Sequence, residues 1–189
     1  MSDPTLAAMR AELHELLAKL AVRHGTFTLT SGEVSDLYVD CRVVSTIPRA
    51  MRAIGALMLD LMTDLPEVGG VGGLAIGADP IAAAVAMSSL DSGREIPMFM
   101  VRKEPKEHGT RRQIEGAFPE ASGAPVVIVD DVVTKGGSVL QAIQAVETET
   151  QARVVRAILI VDRLEGGAEL LRAKGYDVRS IFTRHDFVP

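Results

Sequence analysis

The apolar positions of the chain follow a helical period first and then give way to short, continuous runs. Leu6, Met9, Leu13, Leu16, Leu17 and Leu20 recur at three- and four-residue spacing, which predicts a helix with one apolar face. Asp3-Pro4 reads as an N-cap followed by proline at the first helical position, and Gly25 as the stop. Phe27 to Leu29 and Leu37 to Val39 read as a short strand pair around a turn-rich segment, 30–36. The pair is too short to be a domain and suits the capping of an open edge of a larger sheet. A second helix is expected from about Pro48 to Met62, with Met51, Ile54, Leu57, Met58 and Leu61 in its stripe, ending near Pro66.

Beyond residue 67 strands and helices alternate. Val68 to Ile76 is a glycine-rich strand, and Asp79-Pro80 predicts an N-cap and first residue for a helix over Ile81 to about Leu90. Pro97 to Val101 is the next strand. Val126 to Val129, four consecutive β-branched residues, reads as a buried parallel strand. A helix carrying Val139, Leu140, Ile143 and Val146 follows, then a strand from Val154 to Val161, a helix from Ala168 to Lys174 and a strand from Val178 to Phe182. Such alternation predicts an α/β fold, an open and mostly parallel sheet flanked by helices. The 189 residues suit a single domain, with about 1–45 an N-terminal helix and small β element and about 46–189 the core.

Composition narrows the function classes. With 47% hydrophobic and 24% charged residues the chain reads as a soluble globular protein. A net charge of −5, with no massed basic tract, gives no nucleic-acid surface. The single cysteine, Cys41, excludes an internal disulfide and reads as a small buried thiol in a reducing compartment. No signal pattern and no apolar run of about 18 residues is present, so neither export nor a membrane is expected, and the cytoplasm is. His14 and His24 read as surface or capping residues.

The densest chemistry lies at Val126-Val-Ile-Val-Asp-Asp-Val-Val-Thr-Lys-Gly-Gly-Ser138. A strand, the acids Asp130 and Asp131 at its expected end, a turn with Gly136 and Gly137, and a helix start describe an anion cradle made by backbone N–H groups and the helix dipole. The spacing excludes a Walker loop. Gly70-x-Gly72-x-x-Ala75 approaches a dinucleotide fingerprint, but Pro80 puts the helix start beyond those glycines, so Ala75 to Asp79 reads as a second anion-binding turn or as close packing that needs glycine. Between the strand at 101 and Val126, residues 102–112 hold six basic or histidine side chains among eleven, in a connection long enough to be functional. All these segments fall at expected carboxyl ends of strands, where such sheets bind ligands.

Two carboxylates beside a phosphate fit a ligand that also carries Mg²⁺ or hydroxyls or develops positive charge. The apolar strand, the two acids and Thr134-x-Gly136-x-Ser138 resemble the signature for 5-phosphoribosyl 1-pyrophosphate (PRPP) in type I phosphoribosyltransferases. Arg102-Lys103-Glu-Pro-Lys106-Glu-His108-Gly109 resembles the mobile catalytic loop of the orotate phosphoribosyltransferases, Phe27 to Gly32 with Ser35 and Tyr38 their N-terminal hood, and Val161-Asp-Arg163 their orotate-contacting arginine.

The resemblance implies Mg²⁺-dependent transfer of phosphoribose from PRPP to orotate. It places Arg102, Lys103, Lys106, His108, Asp130, Asp131 and the stretch Val132, Val133, Thr134, Lys135, Gly136, Gly137 and Ser138 on PRPP. Lys106, His108, Asp130 and Asp131 would be catalytic, and Thr134, Arg163 and Tyr38 would contact orotate. No residue is assigned to the metal, which the PRPP itself would mainly hold. A homodimer is implied, with the mobile loop acting across subunits. Three positions depart from the family pattern: Thr30 where lysine is common, Gly77 where a basic or polar residue is frequent, and Lys135 where a small residue is usual. Transfer to a purine or uracil is the competing enzymatic reading, which Arg163 disfavours because a neutral base needs no carboxylate partner. A non-catalytic PRPP sensor is the other alternative, disfavoured by the basic loop.

Overall fold

The computed structural model describes residues 5–28, 34–65, 67–105, 112–119 and 121–188. The chain opens with α1 (Leu6–Leu16), capped by Thr5 Oγ1, which accepts from Ala8 N; the expected cap Asp3-Pro4 lies outside the described residues. After one wide turn over Leu17–Ala21 the chain becomes extended at Val22, so the helix ends before Gly25. Cross-strand pairing overrides the helical spacing here: β1 (Val22–Thr28) and β2 (Val34–Val39) are antiparallel, with Val22 opposite Val39, and form a longer ribbon than the expected pair. The ribbon is a sheet of its own rather than an addition to the main sheet's edge.

A short helix, α2 (Arg42–Ser45), leads into α3 (Pro48–Asp60), and then the alternation begins: β3 (Gly70–Leu74), α4 (Asp79–Asp91), β4 (Met98–Val101), β5 (Ile114–Gly116), β6 (Pro125–Val133), α5 (Gly137–Glu149), β7 (Arg153–Asp162), α6 (Gly167–Ala173) and β8 (Val178–Thr183). The main sheet runs β5-β4-β3-β6-β7-β8. All its pairings are parallel except β4 with β5, a three-residue strand that the long basic connection conceals in the sequence.

The chain winds outward in both directions from β3 and β6, so the crevice between their carboxyl ends is the switch point where open α/β sheets place ligands. Central β6 explains its own composition. Val126, Val127, Ile128 and Val129 are fully buried and alternate between two apolar clusters, one per face of the sheet. Each such side chain contributes roughly 2 kcal/mol of burial. Met9, Leu13 and Leu37 join the cluster that holds Val127 and Val129, which fixes α1 and the ribbon to the core.

Glycine in β3 answers crowding: a methyl group at Gly73 would stand 2.0 Å from Val129 O and 2.7 Å from Ala78 Cβ. The close-packing reading therefore holds for the strand. Ala78 already has helical dihedrals, so Asp79 is the first residue of α4 rather than its cap, and its side chain makes no capping bond.

Candidate active site

Strand β6 does not end at the acidic pair. Val132 and Val133 continue pairing with Val161 and Asp162 of β7, so Asp130 and Asp131 stand within the last turn of pleat before the loop. Alternation then sends the two acids in different directions and gives them different partners. Asp130 is buried, its Oδ2 accepting from Ser138 Oγ (2.6 Å) and its Oδ1 from Asp131 N (3.0 Å). Asp131 is half-buried, and its Oδ1 accepts from Val132 N (2.8 Å). Burial raises both carboxyls above the ordinary range, and for Asp130 the neighbouring Asp131 charge raises it further.

The loop then turns into α5 at Gly136, whose left-handed φ of 81° only glycine adopts easily. Its backbone packs against Gly167, where an added methyl group would meet Gly167 O at 3.1 Å. At Gly137, by contrast, a methyl group would meet nothing within 4 Å. An N-terminus of a thirteen-residue helix, open to approach beside a buried carboxylate, can hold a phosphate through its free N–H groups.

A cavity of about 490 Å³ joins these parts. Its wall includes Asp130, Asp131, Val132, Thr134 and Ser138 from the β6–α5 connection, Leu74 to Gly77 after β3, Lys103 after β4, Arg163 after β7, and Tyr38 to Asp40 with Arg42 from the ribbon and α2. The turn after β3 lies directly over the acids: a methyl group at Gly77 would sit 3.4 Å from Asp131 Oδ1 and 3.5 Å from Asp130 Oδ1. The ribbon, its Tyr38 ring 5.6 Å from that of Phe27, closes the opposite side.

The expected residues thus converge in part. Tyr38, Lys103, Asp130, Asp131, Val132, Thr134, Ser138 and Arg163 share one cavity. Val133 is buried behind it, Gly136 and Gly137 shape the helix start, and Arg102 and Lys135 are exposed and outside the lining. Lys106 and His108, like Thr30, lie outside the described residues. Sequence reasoning missed Asp40 and Arg42, which form a two-bond ion pair at the cavity wall (2.8 and 2.9 Å). It also missed the base of the 102–112 loop. Lys103 O accepts from Gln141 Nε2 (2.7 Å) and Gln113 Nε2 (3.3 Å), and Gln113 N donates to Glu149 (2.9 Å), so α5 supports Lys103 as well as the cradle. The single visible signal was the polar spacing of Gln141 and Glu149 on α5.

Comparison with known proteins places this geometry. Residues 68–186 match the phosphoribosyl transferase domain family. The orotate phosphoribosyltransferase of Sorangium cellulosum is 41% identical over 97% of this chain and 95% of its own, and that of Corynebacterium glutamicum 42% identical over 98% and 97%. The chain belongs to the orotate phosphoribosyltransferases. Among solved structures, the Mycobacterium tuberculosis orotate phosphoribosyltransferase bound to Fe(III) dicitrate superimposes with a TM-score of 0.82 at 42% identity, covering 96% of this chain and 99% of the other. The same mycobacterial enzyme bound to PRPP superimposes with a TM-score of 0.77 at 38% identity, over 95% and 98%. An adenine phosphoribosyltransferase of Leishmania donovani, 20% identical with a TM-score of 0.66, shares the fold. In this family member Asp130, Asp131, Thr134 and Ser138 at the helix start and the buried Arg163 line one cavity.

Proposed function

We propose that the cavity transfers the 5-phosphoribosyl group of PRPP to orotate in UMP biosynthesis, giving orotidine 5′-monophosphate and pyrophosphate. The observation that carries this reading is the shared cavity: two acids that make no ion pair among the described residues, an open helix N-terminus and a buried guanidinium all face one space. Ring nitrogen 1 of orotate bonds to carbon 1 of the ribose and gives up its proton, while the carbon–oxygen bond to pyrophosphate breaks, its electron pair leaves on oxygen, and the pyrophosphate can carry the proton away. The sugar carries positive charge at that moment. Asp130 and Asp131 stabilise it and hold the ribose hydroxyls, because carboxylates in a low-dielectric wall act strongly on a developing cation. Thr134 to Ser138 hold the 5-phosphate, Lys103 faces the pyrophosphate, and Arg163 pairs with the orotate carboxylate. Tyr38 packs on the pyrimidine.

Among the described residues no three of His, Cys, Asp and Glu converge as a metal cage. Two carboxylates with diphosphate oxygens and water are nonetheless a set that Mg²⁺ accepts, so the residues present fit the ion. When bound with PRPP, Mg²⁺ would neutralise charge on the departing pyrophosphate. We further propose a cytoplasmic homodimer of single-domain chains, in which Lys106 and His108 act on the pyrophosphate of the neighbouring subunit. The cavity's own arginines support this: Arg42 and Arg163 are each engaged by a carboxylate of the same chain, Asp40 and Glu165, and Lys103 is the remaining cation of the lining. Mixing Lys106→Ala with Asp131→Asn subunits should then restore activity that neither variant has alone.

The direct test is pyrophosphate release from PRPP and Mg²⁺ with orotate, uracil, adenine, hypoxanthine and guanine in turn. Release with orotate alone is expected. Release with an uncharged base instead would overturn the role of Arg163, and PRPP binding without release under any base would favour a sensor.

A further inference from the structure

Arg163 does not reach the cavity unaided. Its side chain is 4% exposed, and Nη2 donates to Leu37 O of the ribbon and forms an ion pair with Glu165 Oε1, each at 2.6 Å. Glu165 sits two residues along the chain, where helical geometry would carry it to another face and regular extension would set it about 7 Å farther along the strand. It comes back because Leu164 between them has φ 54°, the single positive φ outside glycine among the described residues. A bulky side chain in the left-handed region is strained, and such strain persists only where surrounding bonds hold it.

Those bonds are present. Leu164 N donates to Asp162 Oδ1 (2.9 Å), Arg163 N to Val133 O (3.1 Å) and Gly167 N to Thr134 O (2.9 Å). The turn is thereby stitched to the same loop that forms the phosphate cradle. Glu165 itself is only 17% exposed, and its Oε2 is buried without a hydrogen-bond partner among the described residues. A carboxylate kept in so costly a place, by a strained residue, acts on the one cation it touches.

We propose that Glu165 is a positioning residue: the strained Asp162–Gly166 turn presses its carboxylate onto Arg163 and fixes the plane of the guanidinium that receives the acceptor's carboxylate. The inference rests on the reading of Arg163 as the orotate contact. Held at Nη2 by a hydrogen bond on one side and an ion pair on the other, the guanidinium is restrained, and a planar fork held still loses less freedom when a second carboxylate docks. Glu165 acts through the close contact of its Oε1 with Nη2, so an amide oxygen in its place should serve.

The test compares steady-state constants for the full-length enzyme. Glu165→Ala should raise the orotate KM about ten-fold, as expected for loss of a close charged contact that orders the guanidinium, with the PRPP KM and Tm held. Glu165→Gln should restore it to within about three-fold. Leu164→Val, β-branched and disfavoured at positive φ, should reproduce the alanine phenotype without touching Arg163 or Glu165, and Leu164→Gly should leave the orotate KM unchanged. Arg163→Lys separates the two claims. If it raises the orotate KM while Glu165→Ala does not, the clamp is wrong and the acceptor contact stands. If it leaves the orotate KM unchanged, the acceptor contact and the clamp both fall. Equal rises in both KM values with a lower Tm for Glu165→Ala would make Glu165 merely structural.

Discussion

The parallel sheet carries a pair of aspartates at each end, and the two pairs live under opposite electrostatic conditions. At the amino end Asp64 and Asp177 converge on Arg156, a buried side chain on β7, at 2.7 and 2.6 Å, and Arg179 adds a second bond to Asp64 at 2.7 Å. The Arg156 hydrogen bond, helped by Arg179, holds the Asp64 carboxyl below the ordinary range. At the carboxyl end buried Asp130 and half-buried Asp131 accept from the Ser138 hydroxyl and from backbone N–H groups, and burial pushes both upward. One site is complete within the chain. The other holds two acids that make no ion pair among the described residues, with Arg42 acting on Asp131 only from a distance, an arrangement more often found at functional sites than at structural ones.

The comparison breaks most visibly on turnover. Asp131→Asn should lower it roughly 100-fold or more by removing one charge facing the sugar cation. Asp177→Asn, isosteric and at the far end of the sheet, should leave turnover within about two-fold. Initial rates with saturating PRPP and orotate check both. If Asp131→Asn alters only thermal stability, the assignment of the acids to the sugar is wrong.

The amino-end pair should respond in the complementary way. Arg156→Ala deletes a fully bonded guanidinium, leaves Leu61 O without its donor and opens a gap under β7. The expected cost is about 3 kcal/mol, or roughly a 10 °C drop in Tm, because Asp64 and Asp177 are half-exposed and regain water. Activity below the melting range should persist. A variant that loses turnover while keeping its Tm would mean that the two ends are not separable.

How much of this was legible in the sequence depends on the range of the interactions. Strands β6 and β7 were readable because unbroken β-branched runs suit a strand buried on both faces, and the motif after them was readable because glycine and hydroxyl spacing reflects local backbone needs. Pairing across the chain was not readable. The helix was expected to run to Gly25, yet the chain becomes a strand at Val22 when Val39 comes opposite, and β6 runs on past Asp131 because β7 offers partners. The acids' convergence with Arg163 could be expected from the carboxyl-end rule and the family resemblance. Glu165 could not, since its contact depends on Leu164 adopting a backbone conformation that its side chain disfavours.

The smallest effect sharpens the comparison through pH. Because the folded state raises the Asp130 carboxyl above its unfolded value of about 4, folding favours the protonated form. Below that value both states are protonated and the burial cost is absent. As pH rises from there toward the folded value, the unfolded chain has lost its proton while the folded one retains it, so stability falls. Asp130→Asn removes the charge and keeps groups that can satisfy Ser138 and Asp131 N. It should therefore be more stable than wild type at pH 8 by on the order of 1–2 kcal/mol, a Tm gain of a few degrees, with the gain shrinking toward zero near pH 4. Asp64→Asn should show the reverse sign: the lowered carboxyl contributes stability above its unfolded value and loses it as pH falls, so that variant is the less stable at neutral pH and approaches wild type in acid. Thermal melts of the ligand-free proteins at pH 4.5 and 8, with Asp64→Asn followed also to about pH 2, decide the matter. An Asp130→Asn variant less stable than wild type at pH 8 would show that the bonds from Ser138 and the Asp131 backbone outweigh the burial of the charge, and that the carboxyl end is as settled within the chain as the amino end.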